Sequence, residues 1–508
     1  MVVDLQFSTF LFLSIIVFPL IFLILKNPSS AAKTPVSYPI LGSIFTIWKN
    51  KERRVQWLSD VITSTPTLTF TLRRPFGGRQ MFTANAANVQ HMLKNHFHNY
   101  PKGAVFRHIL RDFLGDGIFN ADGDNWKFQR QLSSHQFNTR SLRKFVETVV
   151  DGELSDRLVP TLANAAAANT AVDLQDLLQR FAFDNICKIA FGYDPAYLLP
   201  SLPTKNFAVV FDSALKLISE RFNSNIPFVW KIKRALCIGN EKQLKIKVQQ
   251  VREFAKRIMR EKKRELERDS SLKSEDLLSR FVSSGHSDEE FVTDVVICFI
   301  LAGRDTTSAA LTWFFWLLNN NPSVEKEIMK EITKQGGRQK NPDEGGGAYE
   351  EVRNMVYMHA ALCESMRLYP PVPVSTKWAA DDDVLPDGTV IKKGTRISYH
   401  PYAMGRVEKV WGADWAEFRP GRWLEWEGKA EKWSFVGRDP YTYPVFQAGP
   451  RICLGKDMAF LQMKRVAAGI LRRFRVVPVE GGAEPVYVSD FTSKMKGGFI
   501  VRVEERVH

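Results

Sequence analysis

The chain has 508 residues, 44% of them hydrophobic, which excludes a disordered or fibrous protein. Its net charge of +15 would suit a nucleic-acid partner, but glutamates interrupt the basic run 256–268 at helical spacing, as on a solvated helix face, so we expect no such partner. The five cysteines are odd in number and widely spaced, which argues against a disulfide framework or a structural zinc site.

An uncharged apolar segment, FSTFLFLSIIVFPLIFLIL, runs from Phe7 to Leu25. As a helix it would span about 28 Å, close to the hydrocarbon thickness of a bilayer. A cleaved signal peptide is the alternative, but no Lys or Arg precedes the segment and it exceeds a usual signal core. Lysines and arginines follow it closely, which predicts that the rest of the chain lies on the cytosolic side. We therefore predict a single-pass membrane anchor at residues 1–26.

The remainder is predicted to form a proline-rich linker and lead-in at 27–50 and one large domain at 51–508, because no repeat or long polar linker divides it. Helical patterns dominate, at 172–191, 241–267, 291–320 and 360–368. Strand-like patterns are short, at 67–72, 395–399 and 499–503. Two low-complexity stretches, 165–168 and 336–347, are predicted as surface turns or loops. The predicted class is mainly α with small β-sheets.

Trp126 and Arg130 stand one helical turn apart and place an N–H donor beside a cation. Such a pair suits the carboxylates of a bound group. Trp415 and Arg419 show the same spacing, so the pattern gains weight only from motifs elsewhere in the chain.

The longest helical pattern, 291–320, predicts a helix of about 45 Å. Ser287 and Glu290 match a capping box before it, and Pro322 follows its end. Its longest apolar run, 295–303, is too short to cross a membrane, so we predict a helix through the protein core.

Within this helix, the sequence from Ala302 to Thr306 suits oxygen activation. Ala302 and Gly303 are small enough to leave room for a ligand, and Thr306, one turn after Ala302, faces the same side. A buried hydroxyl and an adjacent acid can deliver protons while water is excluded, so Thr306 and Asp305 are the candidate catalytic residues. The alternative is an ordinary threonine bonded to the carbonyl one turn back.

Glu364 and Arg367 form the pattern E-x-x-R, which other pairs in the chain also match. Their position selects them, after the helix at 291–320 and before the sequence FRPGRW at 418–423. We predict a buried charge network of Glu364, Arg367 and Arg422. Its value would lie in geometry, because desolvation offsets much of the attraction between buried charges.

Residues 446–455, here called the cysteine loop, read FQAGPRICLG and match F-x-x-G-x-R-x-C-x-G at every fixed position. The pattern indicates that a Cys453 thiolate ligates haem iron, where it donates electron density that favours O–O cleavage. An inert core cysteine is the alternative, but it leaves the neighbouring matches unexplained.

The other fixed positions of the loop have physical roles of their own. Gly449 and Gly455 let the backbone turn tightly and approach the porphyrin, and backbone N–H groups can donate to the sulfur. Arg451 can pair with a haem propionate, and Phe446 can shield the thiolate from water. The candidate cofactor-binding residues are therefore Cys453, Phe446, Gly449, Arg451, Gly455, Trp126 and Arg130.

With these motifs in this order, the chain resembles the cytochrome P-450 superfamily along essentially its whole length. More narrowly it resembles the plant family numbered 94, including its fatty-acid omega-hydroxylases. The closer likeness lies at 100–124, 180–195, 308–318, 382–388, 402–406 and 446–464. The resemblance implies haem b as cofactor and the superfamily fold behind an N-terminal transmembrane helix in the endoplasmic reticulum membrane. Gly421, where relatives usually carry Glu, and Ser375, where close relatives tend to carry Asp, depart from the pattern.

The resemblance also implies hydroxylation, with O2, of the terminal (omega) carbon of a long apolar substrate such as a fatty acid. No G-x-G-x-x-G strand–turn–helix unit is present, so electrons are expected from a separate NADPH–cytochrome reductase, an acidic flavoprotein that a basic face would suit. Channel walls are expected from 106–119, Phe299 and 372–374. Ser375 would let the far end of the channel accept a bulkier group.

Other functions remain open at this point. Terminal hydroxylation of a steroid side chain or of a jasmonate conjugate would use the same chemistry. A non-catalytic haem carrier or sensor is an alternative of a different class, and Asp305 with Thr306 argues against it, since storage needs no proton delivery.

Overall fold

The computed structural model describes residues 34–199, 205–224, 226–268, 276–284, 288–336, 347–428, 432–479 and 484–506. The anchor predicted at 1–26 and most of the glycine-rich stretch at 336–347 lie outside these residues. The fold and the site are built from the described residues alone.

Helices dominate the described chain, in agreement with the sequence prediction. The α-helices are Ile44–Lys49, Arg54–Ser64, Ala86–Gln90, Gly103–Leu114, Gly123–Ser134, Thr139–Lys144, Asp151–Glu153, Val159–Ala167, Leu174–Phe191, Lys205–Asn223, Pro227–Ala235, Gly239–Arg268, Leu277–Ser283, Glu289–Asn320, Pro322–Gly336, Ala348–Arg353, Val356–Leu368, Pro401–Met404, Glu408–Trp411 and Lys456–Arg473. Wider π turns at His91–Asn95, Phe145–Val150 and Leu154–Leu158 adjoin some of them.

The strands are short and form small sheets. They are β1 Thr69–Arg73, β2 Arg79–Thr83, β3 Val172–Asp173, β4 Ser375–Trp378, β5 Asp383–Val384, β6 Val390–Ile391, β7 Arg396–Tyr399, β8 Leu424–Glu427, β9 Lys432–Phe435, β10 Phe474–Pro478, β11 Tyr487–Ser489, β12 Ser493–Met495 and β13 Ile500–Glu505. The main sheet has the order β1-β2-β7-β4, with β2 and β7 parallel and its other neighbours antiparallel. The strands predicted at 67–72, 395–399 and 499–503 correspond to β1, β7 and β13.

Helix Leu174–Phe191 shows why the predicted helical bounds nearly hold. The Asp173 carboxylate accepts hydrogen bonds from the backbone N–H groups of residues 175 and 176, which caps the first turn. Gly192 ends the helix with φ near 64°. The prediction began at residue 172, but Val172 and Asp173 pair with β13 instead.

The helix predicted at 291–320 extends over Glu289–Asn320 and is here called the central helix. The predicted capping box is wrong. Asp288 caps the helix by accepting from Phe291 N at 3.1 Å, while Glu290 pairs with Arg252 and Lys256. The central helix is long and apolar enough to cross a membrane, but 83% of its most apolar window is buried inside the protein. It is a core helix, in agreement with the prediction.

The turn predicted at 165–168 is also wrong, because residues 165–167 form the last turn of helix Val159–Ala167. Alanine has the highest helix propensity, so a short alanine repeat extends a helix where tertiary packing supports it. Leu162 and Ala165 supply that packing, since both are buried. The chain leaves the helix at Asn169, which has a positive φ of 48°.

Buried side chains form three cores. The first core gathers Trp313 and Phe314 of the central helix with helices Val356–Leu368 and Lys456–Arg473. The second core gathers residues 295–301 of the same helix with helix Gly103–Leu114 and neighbouring helices. The third core lies around the main sheet. The central helix therefore belongs to two cores at once.

Five exposed apolar side chains lie on the lead-in, in the turn after β1 and on helix Pro227–Ala235, and we call them the apolar patch: Ile40, Phe45, Trp48, Phe76 and Phe228. Trp48 and Phe76 are 69% and 66% exposed. The Phe76 backbone N–H donates to Ile40 O at 2.9 Å, and the Phe76 and Phe228 rings lie 6.4 Å apart. Exposed apolar groups of this kind mark interaction surfaces.

Candidate active site

The cysteine loop contains the 3₁₀ turn Gly449–Arg451 and leads into helix Lys456–Arg473. Gly449 has a φ of +65°, and a Cβ on it would lie 2.0 Å from the carbonyl oxygen of Leu93. Glycine is therefore required at position 449 by the close approach of the His91–Asn95 turn. At Gly455 a Cβ would make ordinary contacts with Phe137 at 3.5 Å and the Cys453 sulfur at 4.0 Å, so glycine is not sterically required there.

The Cys453 side chain is exposed, unlike the buried Cys187, Cys298 and Cys363, so it is not an inert core thiol. Its backbone N–H donates to Phe446 O at 2.8 Å. Although the side chain reaches the surface, the protein atoms around the sulfur keep water from most of it and raise the pKa of the thiol, while the Gly455 N–H and the Arg130 charge oppose that rise. These donors point to stabilisation of a thiolate once a cation binds the sulfur.

Trp126 lies between two guanidinium groups. The Arg451 guanidinium stands 4.5 Å from the Trp126 ring centre and the Arg130 guanidinium 5.9 Å from it. Arg130 donates to Ile452 O at 2.8 Å, and Arg451 pairs with Asp122 at 2.7 Å. The structure thus brings three of the predicted cofactor-binding residues to one place next to Cys453.

Two lysines that the sequence reasoning missed complete this cationic group. Burial and the Arg451 charge lower the pKa of Lys102 to about 8. Lys377 is 2% exposed, and burial with repulsion from Lys102 and Arg451 lowers its pKa well below the usual range. The available sequence signal was a lone lysine inside the uncharged stretch VPVSTKWAA at 372–380.

These cations test whether the site suits haem. Within the described residues, Asp122 is the one acid that lowers the cost of burying Lys102, Lys377 and Arg451 together. Buried cations without matching anions are unfavourable, so the group requires more negative charge than Asp122 supplies. A flat group with two carboxylates and a metal for Cys453 fits this set of donors.

Thr306 on the central helix is half-buried, and its hydroxyl donates to Ala302 O at 2.7 Å. Ser308 and Thr312 make the same type of bond to the carbonyls of Arg304 and Ser308. The bond one turn back, given above as the ordinary alternative, is therefore present. It leaves the Thr306 oxygen able to accept hydrogen bonds from a ligand.

Gly303 does not provide room for a ligand, contrary to the prediction. A Cβ on Gly303 would lie 2.5 Å from the Ile186 side chain of helix Leu174–Phe191. The missing side chain allows the central helix and helix Leu174–Phe191 to pack closely at this position. Ala302 remains half-buried on the Thr306 side.

Asp305 belongs to a buried charge chain. Arg304 Nη1 contacts both Asp305 Oδ1 and Asp212 Oδ1 at 2.7 Å, and Lys494 pairs with Asp212 at 2.9 Å. Burial raises the pKa of Asp305, although the Arg304 charge opposes the rise. Its second oxygen, Oδ2, is buried with no hydrogen-bond partner among the described residues. That carboxylate is thus oriented by Arg304, while the Thr306 hydroxyl bonds to Ala302 O instead.

The Glu364 carboxylate collects the residues of the predicted network. Arg367 Nε lies 2.8 Å from Glu364 Oε2, and Arg422 Nε lies 3.0 Å from Glu364 Oε1. The Trp423 indole also donates to Glu364, at 2.9 Å. Arg422 further donates to Trp411 O, and the Arg367 and Glu364 side chains are fully buried. The network fastens the turn Pro420–Trp423 to helix Val356–Leu368. Gly421 has open space around its missing side chain, so the departure there disturbs nothing in the network.

Ser375 lies in β4 opposite Tyr399 of β7. It is 8% exposed, and its hydroxyl hydrogen-bonds the Tyr399 side chain. It shares a sheet face with Lys377, because side chains two positions apart in a strand point the same way. Ser375 therefore belongs to the cationic side of the sheet, and its small size does not widen the apolar wall on the other face.

A family model described as Cytochrome P450 matches residues 33–500. The chain is 62% identical to cytochrome P450 94A2 of Vicia sativa, over 95% of this chain and 93% of that protein. It is 58% identical to cytochrome P450 94A1 of Vicia sativa, over 93% and 90% of the two chains. It is 45% identical to cytochrome P450 94B1 of Arabidopsis thaliana, over 95% and 93%.

Proposed function

Because the chain belongs to the cytochrome P450 family and is a haem-dependent monooxygenase, we propose that it hydroxylates the terminal (omega) carbon of a long apolar substrate, most simply a fatty acid. The apolar side chains of the second core, here called the apolar wall, carry this proposal. The second core runs from Phe299 on the central helix to Phe106 and Trp378 beside the main sheet. An apolar wall of this length suits an extended hydrocarbon chain.

Chemistry alone does not select the terminal carbon, since its C–H bonds are the strongest in an alkyl chain. Terminal selectivity needs a narrow channel that presents the methyl group first, with binding energy from the rest of the chain. Phe106 supports a narrow channel because its ring contacts those of Phe222 and Trp378, with centres 5.3 and 6.0 Å apart. Val372 and Val374 stand half-buried beyond helix Val356–Leu368.

The proposal gives each candidate residue a role. Bound haem supplies the oxygen and one-electron chemistry. Cys453 holds the iron, and the charge network of Glu364, Arg367 and Arg422 keeps its loop in place. The carboxylates of the cofactor are held by Trp126, Arg130, Arg451, Lys102 and Lys377. Gly449 and Gly455 shape the loop, and Phe446 shields the sulfur from water.

Thr306 and Asp305 have different parts in proton delivery. The Thr306 oxygen would accept a hydrogen bond from water beside the haem-binding site. Asp305 is the proposed proton-exchanging group, because burial raises its pKa while Arg304 holds its carboxylate in place. Neither residue needs to contact the substrate chain.

Electrons are proposed to come from an NADPH–cytochrome reductase, for which the net charge of +15 suits an acidic flavoprotein. Residues 1–26 are proposed to anchor the enzyme in the endoplasmic reticulum membrane, with residues 27–50 leading into the catalytic domain at 51–508 on the cytosolic side. The apolar patch supports membrane attachment, since it lies close to the lead-in.

The test is product analysis by mass spectrometry. The holoenzyme, with reductase, NADPH and O2, is incubated with lauric acid, oleic acid and a hydroxysterol. Terminal hydroxylation of the two acids is expected, and mainly internal hydroxylation of every chain would overturn the proposal. Cys453→Ala is the inactive control and should lose the red-shifted Soret band of the reduced, carbon monoxide-treated protein.

The same assay separates the alternatives. A steroid or jasmonate-conjugate hydroxylase would oxidise those substrates in preference to the acids, but Ser375 no longer favours a bulkier substrate. A haem carrier or sensor would consume no NADPH in the presence of substrate and reductase.

A further inference from the structure

Arg396 begins β7 of the main sheet, and its guanidinium lies close to two aromatic rings. The guanidinium stands 5.6 Å from the ring centre of Phe222 and 5.5 Å from that of Trp378. Nη1 donates to Phe222 O at 3.3 Å, while Nε is buried with no partner among the described residues. Arg396 is thus a cation in a largely apolar setting.

Two further arginines lie near it. Arg396 stands opposite Gln80 in the parallel pair of β7 and β2, so the two side chains share a face. Arg74 donates to the Gln80 side chain at 2.8 Å. Arg54, at the start of helix Arg54–Ser64, is close enough to Arg74 and Arg396 to repel both. We call Arg54, Arg74 and Arg396 the arginine cluster.

Among the described residues, Arg54 and Arg396 have little negative charge nearby. Across the described ranges, neither Arg54 nor Arg396 forms an ion pair, and no acid affects the pKa of either group. Burial lowers the pKa of Arg54 to about 9, with a further contribution from Arg74, and that of Arg74 to about 10. All three side chains are nevertheless partly exposed to solvent, so a ligand can reach them.

Aromatic side chains connect the arginine cluster to the central helix. Phe222 and Trp378 touch both Arg396 and Phe106. Helix Gly103–Leu114, which carries Phe106, packs on the central helix, and Phe299 belongs to the same second core. A cationic end and an apolar wall leading to the oxygen-activating residues match the two ends of a fatty acid.

We propose that the arginine cluster binds the carboxylate of a long-chain acid whose hydrocarbon chain extends along the apolar wall toward Thr306. This inference rests on the proposed function and names the residues that hold the far end of the substrate. A carboxylate is the ligand that guanidinium groups recognise best, through paired N–H donors. It would also relieve the mutual repulsion of the three cations. Binding at the far end gives the anchoring energy that terminal selectivity requires.

The experiment compares lauric acid with its neutral methyl ester on the full-length holoenzyme. Dissociation constants are measured from the spectral shift that substrate induces. The native enzyme should bind the acid more tightly than the ester. Arg396→Gln should weaken acid binding about 10-fold and ester binding less than about 2-fold, because a charge-assisted hydrogen bond is lost. Arg396→Lys should recover part of the affinity for the acid.

Arg53→Gln is the matched control. Arg53 adjoins Arg54 but is exposed and paired with Asp60 at 2.9 Å, so its loss should change neither constant. Arg54→Gln gives a second test if Arg396→Gln fails to incorporate haem. Equal weakening of acid and ester binding, or no weakening in either variant, would overturn the proposal that the arginine cluster binds the carboxylate. The proposal of terminal oxidation would remain. If neither compound binds to the native enzyme or is oxidised at its end, the proposed function fails together with this inference.

Discussion

Thr306 makes the same bond to a helix carbonyl as Ser308 and Thr312, yet it alone of the three is half-buried rather than buried. The difference lies in access and not in the bond itself. A hydroxyl that is already bonded as a donor has a fixed orientation, so its oxygen presents acceptor positions in a defined direction. This geometry is the basis for a role in proton delivery.

Thr306→Ala should keep haem and the substrate-induced spectral shift but release hydrogen peroxide at the expense of product. The amount of product formed per NADPH consumed, which measures the coupling, should fall by about 10-fold or more, as expected when a proton-transfer group is lost. Thr312→Ala removes an equivalent bond about 9 Å along the helix and should leave the coupling unchanged. Unchanged coupling in Thr306→Ala would exclude the proposed role.

His400 is fully buried and caps helix Pro401–Met404 through its Nδ1, which accepts from Ala403 N at 3.1 Å. Burial, helped by the Arg406 charge, lowers the pKa of His400 to about 3. The unfolded chain takes up a proton near pH 6.5, so it binds more protons than the folded chain between that pH and about 3. The stability that the neutral His400 contributes is therefore present above pH 6.5 and lost as the pH falls.

His400→Asn keeps a capping oxygen but cannot titrate. The fall in unfolding free energy between pH 7 and pH 5 should be smaller in this variant, by up to about 1.4 kcal/mol for each pH unit below 6.5. Urea unfolding midpoints at the two pH values measure the effect. His98→Asn, at an exposed position, is the control, and an equal change in both variants would contradict the argument.

At the scale of elements, the close packing of helix Leu174–Phe191 on the central helix depends on Gly303. A helix-interior glycine costs roughly 1 kcal/mol relative to alanine, so its presence needs a compensating contact. The contact is with Ile186, whose side chain occupies the space that a Cβ would take. Two helices are thus brought together by the absence of one methyl group.

Gly303→Ala should destabilise the protein by about 1–3 kcal/mol despite the better helix propensity of alanine, because the added methyl overlaps Ile186. Combining it with Ile186→Ala should restore much of the loss, which a double-mutant cycle of unfolding midpoints would detect. Gly428→Ala is a suitable control, since no atom lies within 4 Å of the added Cβ. Additive effects of the two substitutions would show that the helices do not meet at this point.

Elements that carry their own signals could be predicted from the sequence. Helix Leu174–Phe191 has a capping aspartate and a terminal glycine, and the cysteine loop has a fixed spacing of residue types. The failures occurred where a long-range contact decides. Ile186 against Gly303 and Tyr399 against Ser375 join residues over a hundred positions apart or on neighbouring strands, and no local pattern records either pairing. Lys377 and Arg396 belong to the same group, since only the sheet places them beside the cations of distant segments.

For the molecule as a whole, the apolar patch and the predicted anchor are both expected to attach the protein to the membrane. The aromatic side chains of the apolar patch suit the interface between lipid headgroups and hydrocarbon. Lys49 and Lys51 adjoin Trp48 in the chain and add attraction to anionic lipid. The domain surface is therefore expected to contribute to membrane binding independently of residues 1–26.

Deletion of residues 1–26 should leave a protein that still binds partly to vesicles containing anionic lipid. Adding Trp48→Glu and Phe76→Glu to the deletion should abolish the remaining binding, as measured by co-sedimentation. Trp426→Glu is the control, because Trp426 is likewise exposed, at 50%, but lies on the β8–β9 hairpin outside the apolar patch. Complete release by the deletion alone, or equal binding with and without the patch substitutions, would contradict this prediction.

The membership of the central helix in two cores has a consequence for amide hydrogen exchange. Exchange through local opening needs a segment to separate from one neighbour at modest cost. Residues 295–318 cannot do so, because Val296 and Ile300 lie in the second core while Trp313 and Phe314 lie in the first. Their amides should exchange only when the whole domain unfolds, whereas those near the exposed end of helix Gly239–Arg268 exchange by fraying. Deuterium uptake in the middle of the central helix therefore reports the global stability of the enzyme.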